Sequence, residues 1–270
     1  MNKPKYMTMN DLSVRLRYKE ERNFKFNGQL KLLLSTLNFL LDNVKKDDII
    51  LYIGSGKGYN IPTLIDIFRD FHLNWNLYDP NGHCYKLENM SEINVNNKIF
   101  DIKEAKSFEN KNNILFISDI RTLVNKYVGT IDLINDYTLQ NQIVNFLSPR
   151  SSLLKWRCPF PDDWIKDFDI PIGKEYFQPY NASFSNELRL CANNPYIFKT
   201  ITKEDSIEYE ELLYYYNKII RKKYNNDNII CKYIFDKIPI DVKTRLNIYD
   251  KSTHSIIKYF EYRIEKEKKL

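Results

Sequence analysis

The chain has 270 residues, 43% of them hydrophobic and 28% charged, a balance that belongs to globular proteins and excludes an extended disordered chain. A formal net charge of +6 is compatible with a polyanionic partner without requiring one. The cysteines Cys84, Cys158, Cys191 and Cys231 are scattered and form no CxxC pair, so neither a disulfide framework nor a bound metal is expected.

The first 27 residues are polar and weakly periodic, the character of an arm, and they contain no apolar core of a secretory signal. The longest apolar run, Leu30 to Leu41, is interrupted by Lys31, Ser35 and Asn38 and is too short to span a bilayer. A soluble, cytoplasmic protein without a membrane partner is therefore expected. From Gly28 onward, QLKLLLSTLNFLLDNV places apolar residues at helical spacing, and IILYIG then reads as a buried parallel strand closing on glycine. Tyr59 to Phe71 reads as a helix and WNLYD (75–79) as the next strand. A further strand is expected near Lys98–Ile102, and ILFISDI (114–120) is another. A long helix over 131–147 leads to Pro149, after which SSLLKW (151–156) is again strand-like. This alternation specifies a parallel α/β sheet. Beyond Pro171 come the shorter strands EYFQPY, NELRLCA and YIFKTI, expected as an antiparallel edge, and from about Lys203 the chain is helical and charged. With no internal repeat and no Gly/Ser linker, one domain over 28–270 is expected.

Three of the chain's 7 glycines, Gly54, Gly56 and Gly58, directly follow a strand. Glycine there permits positive φ and lets a ligand approach the backbone at the start of the next helix. Asp79 closes the following strand, where a nucleoside ribose would be held by its hydroxyls. GSGKG is neither a Walker loop nor the GxGxxG dinucleotide fingerprint, which disfavours a nicotinamide oxidoreductase. It fits the tighter turn of enzymes that use S-adenosyl-L-methionine.

Charged residues stand in apolar settings at four places. Lys31 lies in the first turn of the leucine-rich helix, where alone it reads as a snorkelling lysine. Asp119 ends a strand, the place for a ligand contact in an open α/β sheet and equally for a turn cap. Lys155 sits between the apolar run SSLL and Trp156, and a buried lysine loses its proton readily, as a general base must. Glu187 precedes Leu188 and reads alone as an exposed rung of a strand.

The order Lys, Asp, Lys, Glu, with its surroundings, resembles the poxvirus cap-specific mRNA ribose 2′-O-methyltransferase family, whose members double as the small processivity subunit of poly(A) polymerase. GQLKLLL (28–34), YIGSGKG (52–58), ISDIR (117–121), LLKWRCPFPDDWIKDF (153–168) and NELRL (186–190) carry the match, which runs to about Arg221. The resemblance implies a Rossmann-like, S-adenosylmethionine-dependent methyltransferase fold of the α/β class: a mostly parallel central sheet flanked by helices, with an antiparallel C-terminal edge. It implies a catalytic tetrad of Lys31, Asp119, Lys155 and Glu187. Its cofactor contacts fall on Gln29, Leu32, Tyr52, Gly54, Gly56, Gly58, Asp79, Phe100 and Asp119. It also implies a pocket for 7-methylguanine made by Tyr18, Phe160, Asp162 and Glu210. Capped mRNA and a poly(A) polymerase catalytic subunit are the partners implied, and an RNA-binding processivity subunit without catalysis is the alternative. The chain departs from the family at Gly56-Lys57, where those enzymes resemble Ala-Pro, and at Pro80-Asn81, where a family arginine is missing.

A ribose hydroxyl is a weak nucleophile at neutral pH, so the chemistry needs a base and tight positioning. Lys155 is the expected base, with Lys31 working against its proton and Asp119 and Glu187 orienting it. A methylated guanine is cationic, which suits aromatic faces and carboxylates. Arg157, Lys166 and Arg189 are the expected phosphate contacts. Trp156 and Trp164 are expected in the core.

Overall fold

A computed structural model describes residues 28–122, 129–177, 186–220, 235–245 and 253–269. The expected arm over 1–27, and Tyr18 with it, lies outside the described residues. Among those residues, seven strands form one sheet in the order β3-β2-β1-β4-β5-β8-β7. Here β1 is Ile49–Ile53, β2 Asn74–Tyr78, β3 Ile93–Asn96, β4 Ile114–Ser118, β5 Ser151–Trp156, β7 Lys174–Phe177 and β8 Leu188–Asn193. The first five run parallel, while β8 is antiparallel to both β5 and β7. The remaining strands, β6 (Phe168–Pro171) and β9 (Phe198–Ile201), pair with each other outside this sheet.

Strand residues alternate between two cores. In β1, Ile50 and Tyr52 join Leu115, Ile117 and Leu153 on the face packed by α1 (Gly28–Asn43) and α2 (Ile61–Phe68). Leu51 and Ile53 join Phe116, Leu154 and Trp156 on the face packed by α5 (Thr130–Leu147) and α6 (Lys203–Tyr215). Covering both faces is what makes the central strands apolar throughout rather than alternating. In α1 the helical spacing aims Leu30, Leu33, Leu34, Leu37 and Leu40 at the sheet, all at most 1% exposed. Each such leucine contributes roughly 1.5–3 kcal/mol of burial. The short helices α3 (Tyr85–Glu88) and α4 (Ile102–Ala105) follow β2 and β3, and α7 (Ile240–Arg245) and α8 (Thr253–Lys268) lie late in the chain. None of the described helices is long and apolar enough to cross a membrane.

Two sequence expectations are corrected. The strand expected near Lys98–Ile102 is instead β3 at Ile93–Asn96, because Asp101 opens a helix: its Oδ1 accepts from the backbone N–H groups of Lys103 and Glu104 at 2.8 and 3.0 Å. β3 escaped notice because it is the sheet's edge, and its Asn94 side chain bonds Asn74 and Asn76 rather than filling a core. YIFKTI was expected at the antiparallel edge of the main sheet. Its strand β9 pairs with β6 instead, and β7 and β8 alone make that edge.

Candidate active site

In a parallel sheet all strands end at the same edge, and that edge is where a ligand meets the loops. β1 leads there into Gly54, β4 into Asp119, and β5 carries Lys155 as its next-to-last residue. β8 runs the other way, so it begins where β5 ends: Trp156 is paired with Leu188, and Lys155 with Arg189. Glu187, one residue before β8, therefore arrives at the same edge. Lys155 alternates with Leu154 and so shares the face of Leu153, the face covered by α1, whose first turn holds Lys31.

The side chains of Lys31, Asp119, Lys155 and Glu187 meet there. Lys31 Nζ donates to Glu187 Oε1 at 2.6 Å, and Lys155 Nζ lies 3.1 Å from Asp119 Oδ1 and 3.8 Å from Glu187 Oε2. Arg189 is the fifth member. Its Nη2 is 2.7 Å from Asp119 Oδ1 and 3.1 Å from Glu187 Oε1, with only 4% of its side chain exposed. Expected at the phosphate backbone, Arg189 is placed instead beneath the cluster with its guanidinium engaged by both carboxylates. Like charges directly across strands repel, and the two carboxylates are what allow Lys155 and Arg189 to face each other. The cluster holds three cations against two carboxylates. Burial, with Arg189's repulsion, lowers the Lys31 pKa against the opposing pull of Glu187 and Asp119. Burial would raise the pKa of Glu187, but Arg189, Lys155 and Lys31 together hold it well below the usual carboxylate range.

The glycine loop turns beside this cluster. Gly54 has φ +68°, and a Cβ on it would stand 2.7 Å from the backbone nitrogen of Ile120, so the β1 and β4 ends touch through this residue. Beside Gly56 a Cβ would meet nothing within 4 Å, which leaves that side of the loop open to a ligand. Asp79, expected at a ribose, accepts from the backbone N–H groups of Gly56 at 2.8 Å and Asn81 at 2.9 Å, so it also ties the loop to the end of β2. The two departures from the family pattern touch each other, Lys57 Nζ donating to the Asn81 carbonyl at 2.9 Å. Tyr52 is 1% exposed on the α1 side of β1, and burial, with Asp119 nearby, raises its pKa. Leu32 is half-buried in α1. Phe100 lies in an aromatic cluster, its ring edge-on to Tyr78 at 4.7 Å.

Several buried polar atoms at this edge have no protein partner: Gln29 Oε1 at the start of α1, Ser118 Oγ at the end of β4, and both side-chain polar atoms of Asn60 just before α2. Unmade hydrogen bonds of this kind each cost about 1–3 kcal/mol unless a ligand supplies the partner. Together with the open side of Gly56 they fit a polar nucleoside-type cofactor such as S-adenosylmethionine.

After β5 the chain turns through a one-turn helix at Pro161–Asp163, starting from Phe160. Phe160 is partly exposed, with the Arg157 guanidinium 5.7 Å from its ring centre. α6 packs against this one-turn helix, and its Glu210 has a pKa raised by burial and then by the charge of Asp162. Arg157 keeps a buried Nε without a partner, and burial lowers its pKa. Lys166 is exposed on the loop that follows. Trp156 is 1% exposed, and Trp164 packs partly buried against the same core.

Sequence reasoning missed the bracing of the site. Ser55 Oγ lies 2.7 Å from His83 Nε2, and His83 Nδ1 lies 2.9 Å from Asn97 Oδ1, a chain running from a buried end to an exposed one that anchors the glycine loop to the segments after β2 and β3. Asp136 on α5, 2% exposed, accepts from the Thr122 backbone N–H and Arg121 Nη1 and steadies the segment after Asp119. His83, Asn97 and Asp136 sit in no motif, and only the fold brings them into contact with Ser55 and Arg121, which do.

A family model described as "Poly A polymerase regulatory subunit" matches residues 1–262. The cap-specific mRNA (nucleoside-2′-O-)-methyltransferase of Fowlpox virus (strain NVSL) is 40% identical over 242 residues, covering 83% of this chain and 78% of that protein. Its counterpart in Myxoma virus (strain Lausanne) is 39% identical over 243 residues, covering 83% of this chain and 71% of the other. Among solved structures, bluetongue virus VP4, described as a multifunctional RNA-capping production-line, superposes with a TM-score of 0.51 at 17% identity. That match covers 80% of this chain and 37% of VP4, a likeness of fold.

Proposed function

The chain belongs to the poly A polymerase regulatory subunit family, and from that premise we propose that it methylates the ribose 2′-OH of the first transcribed nucleotide of 7-methylguanosine-capped mRNA. The observation that carries this reading is the cluster at the strand ends, where Lys155 stands 3.1 Å from Asp119 and Lys31 2.6 Å from Glu187 beside an open glycine loop. The reading extends to a cytoplasmic site of action, the compartment that the resemblance implies.

Bound S-adenosylmethionine supplies an electrophilic sulfonium methyl group. Gln29, the glycine loop and Asp79 would hold it, with Leu32, Tyr52 and Phe100 as its apolar surroundings. The work left to the chain is to deliver a nucleophile in line and to remove its proton. Lys155 Nζ takes the proton of the ribose 2′-OH, while Asp119 and Glu187 fix the direction in which its lone pair points. Arg189 engages both carboxylates and Lys31 engages Glu187, which offsets part of the negative charge beside Lys155. Phe160 offers its face to the cationic base, and Asp162 and Glu210 offer acceptors to the base edge. Arg157, just before the Phe160 turn, and Lys166, exposed just after it, would contact the phosphates.

Transfer of labelled methyl from S-adenosylmethionine to short capped and uncapped RNAs, with Lys155→Ala alongside, tests the reading. Methylation of capped RNA that is lost in Lys155→Ala is expected. No transfer to either RNA by the parent protein would remove the enzymatic reading, and equal transfer to both would remove the cap pocket. The family description also favours a second role beside a poly(A) polymerase catalytic subunit, tested by tail-elongation assays with and without this chain.

A further inference from the structure

A second cavity lies outside everything described so far. α2, α3, α7 and α8, with the turn after α2, enclose a volume of about 450 Å³, within the range of small-molecule sites. None of its lining residues belongs to the tetrad, the glycine loop or the Phe160 turn. Its walls carry five cationic side chains against two carboxylates. Three of those cations are already held in place. Arg263 is paired with Asp66 and donates to the Tyr259 hydroxyl at 2.9 Å. Arg245 is paired with Asp70 and donates to the carbonyls of Asp66 and Ile67 at the end of α2. Lys86 is paired with Glu267 at 2.9 Å. Fixed cations lose little entropy when an anion arrives, which is the condition for a specific site rather than a diffuse one. The other two, Arg69 and Lys266, are exposed, and Arg69 Nε lies 3.5 Å from Asp70, the carboxylate that also pairs with Arg245.

The buried carboxylate of Glu267 narrows the ligand. It is 2% exposed, its Oε1 is taken by Lys86, and its Oε2 has no partner. An inorganic phosphate could turn a P–OH toward that oxygen but would fill only a small part of the cavity, and an anion with acceptors alone, such as sulfate, would leave the oxygen unsatisfied. The complementary ligand joins a phosphate to a hydrogen-bond donor.

We propose that this cavity binds a nucleotide unit, its phosphate among Arg69, Arg245 and Lys266 and a ribose hydroxyl or base amine donating to Glu267 Oε2. A free nucleotide and one residue of an RNA strand share this chemistry. The test is calorimetric titration of the full chain with AMP, with inorganic phosphate and with an uncapped single-stranded oligoribonucleotide. Saturating S-adenosylhomocysteine and cap analogue are present throughout, so that the site at the strand ends is blocked. AMP is expected to bind, inorganic phosphate to bind at least about tenfold more weakly, and the double substitution Arg69→Gln with Lys266→Gln to weaken AMP about tenfold. Thermal unfolding monitors the fold of this variant, whose two altered side chains are exposed. Glu267→Met is expected to weaken AMP but not inorganic sulfate, an anion without a donor that is titrated alongside, a contrast that a folding defect would not produce. Binding of the oligoribonucleotide in competition with AMP identifies a strand as a source, and AMP binding without competition identifies a free nucleotide. The proposal is overturned if neither AMP nor RNA binds, if inorganic phosphate equals AMP, or if the double variant binds AMP as the parent does.

Discussion

Replacing Arg189 by methionine removes one positive charge from a buried cluster of three cations and two carboxylates, and its consequence is a change in pH dependence. Arg189 and Lys155 both touch Asp119 Oδ1, at 2.7 and 3.1 Å, which places the two cations within about 6 Å of each other. At an effective dielectric constant of about 20, like charges about 6 Å apart repel by about 3 kcal/mol. An arginine does not relieve that repulsion by losing its proton, and Arg189 is among the causes that lower the Lys31 pKa. In Arg189→Met the two lysines balance the two carboxylates, Lys31 retains its proton more firmly, and the cluster gives up a proton only at higher pH. The assay is the single-turnover rate of methyl transfer to a short capped RNA across neutral to alkaline pH. The acid limb of the profile should move upward, and Arg189→Lys should move it less, since a cation remains. A limb whose midpoint stays fixed while the rate falls would refute the charge argument. A rise in KM for RNA without a shift would return Arg189 to the role of a phosphate contact.

The same cluster makes Glu187 a source of acid sensitivity. Its folded pKa lies below its ordinary value of 4.5, so it contributes stability above that pH and loses it as the pH falls further. The urea midpoint should therefore decline less steeply below pH 4.5 in Glu187→Gln than in the parent. Gly54→Ala combines a φ of +68° with a Cβ 2.7 Å from Ile120 N, and should cost at least about 1–3 kcal/mol of stability and abolish cofactor binding. Thermal unfolding with and without S-adenosylhomocysteine measures both. Arg150→Met strands the Asp48 carboxylate, 1% exposed and bonded by Arg150 at 2.8 and 2.5 Å, and should cost about 3–5 kcal/mol in denaturant unfolding. Burial and Asp162 raise the pKa of Glu210, so affinity for a cap analogue should decline on acidification at a higher pH than an ordinary glutamate would give. Fluorescence titration should find that decline flattened in Glu210→Gln.

Local chemistry made part of this protein readable from its residues alone. The continuous apolar runs IILYI, ILFIS and SSLL have to be strands buried on both faces, and glycines after the first of them have to make a turn that other residues resist. The leucine spacing of α1 dictates which of its faces meets the sheet. The capping aspartate at 101 is an equally local signal, but the expected strand over Lys98–Ile102 passed over it, and the polar edge strand before it was not legible because an edge need not bury its side chains. The site was legible only in part. Lys155 stood out because a cation within an apolar run is anomalous, and Asp119 because it ends a strand. Glu187 and Arg189 look like ordinary rungs, and nothing within a few residues of them marks their role. What places them is the antiparallel pairing of β8 with β5, which sets Lys155 opposite Arg189 and brings Glu187 to the edge where the parallel strands end. The sequence by itself determined which of the central, doubly buried segments are strands and which charges are misplaced in them. Only the tertiary structure decided that those charges share one buried cluster with an excess cation, because register between strands remote in sequence is set by packing of the whole sheet.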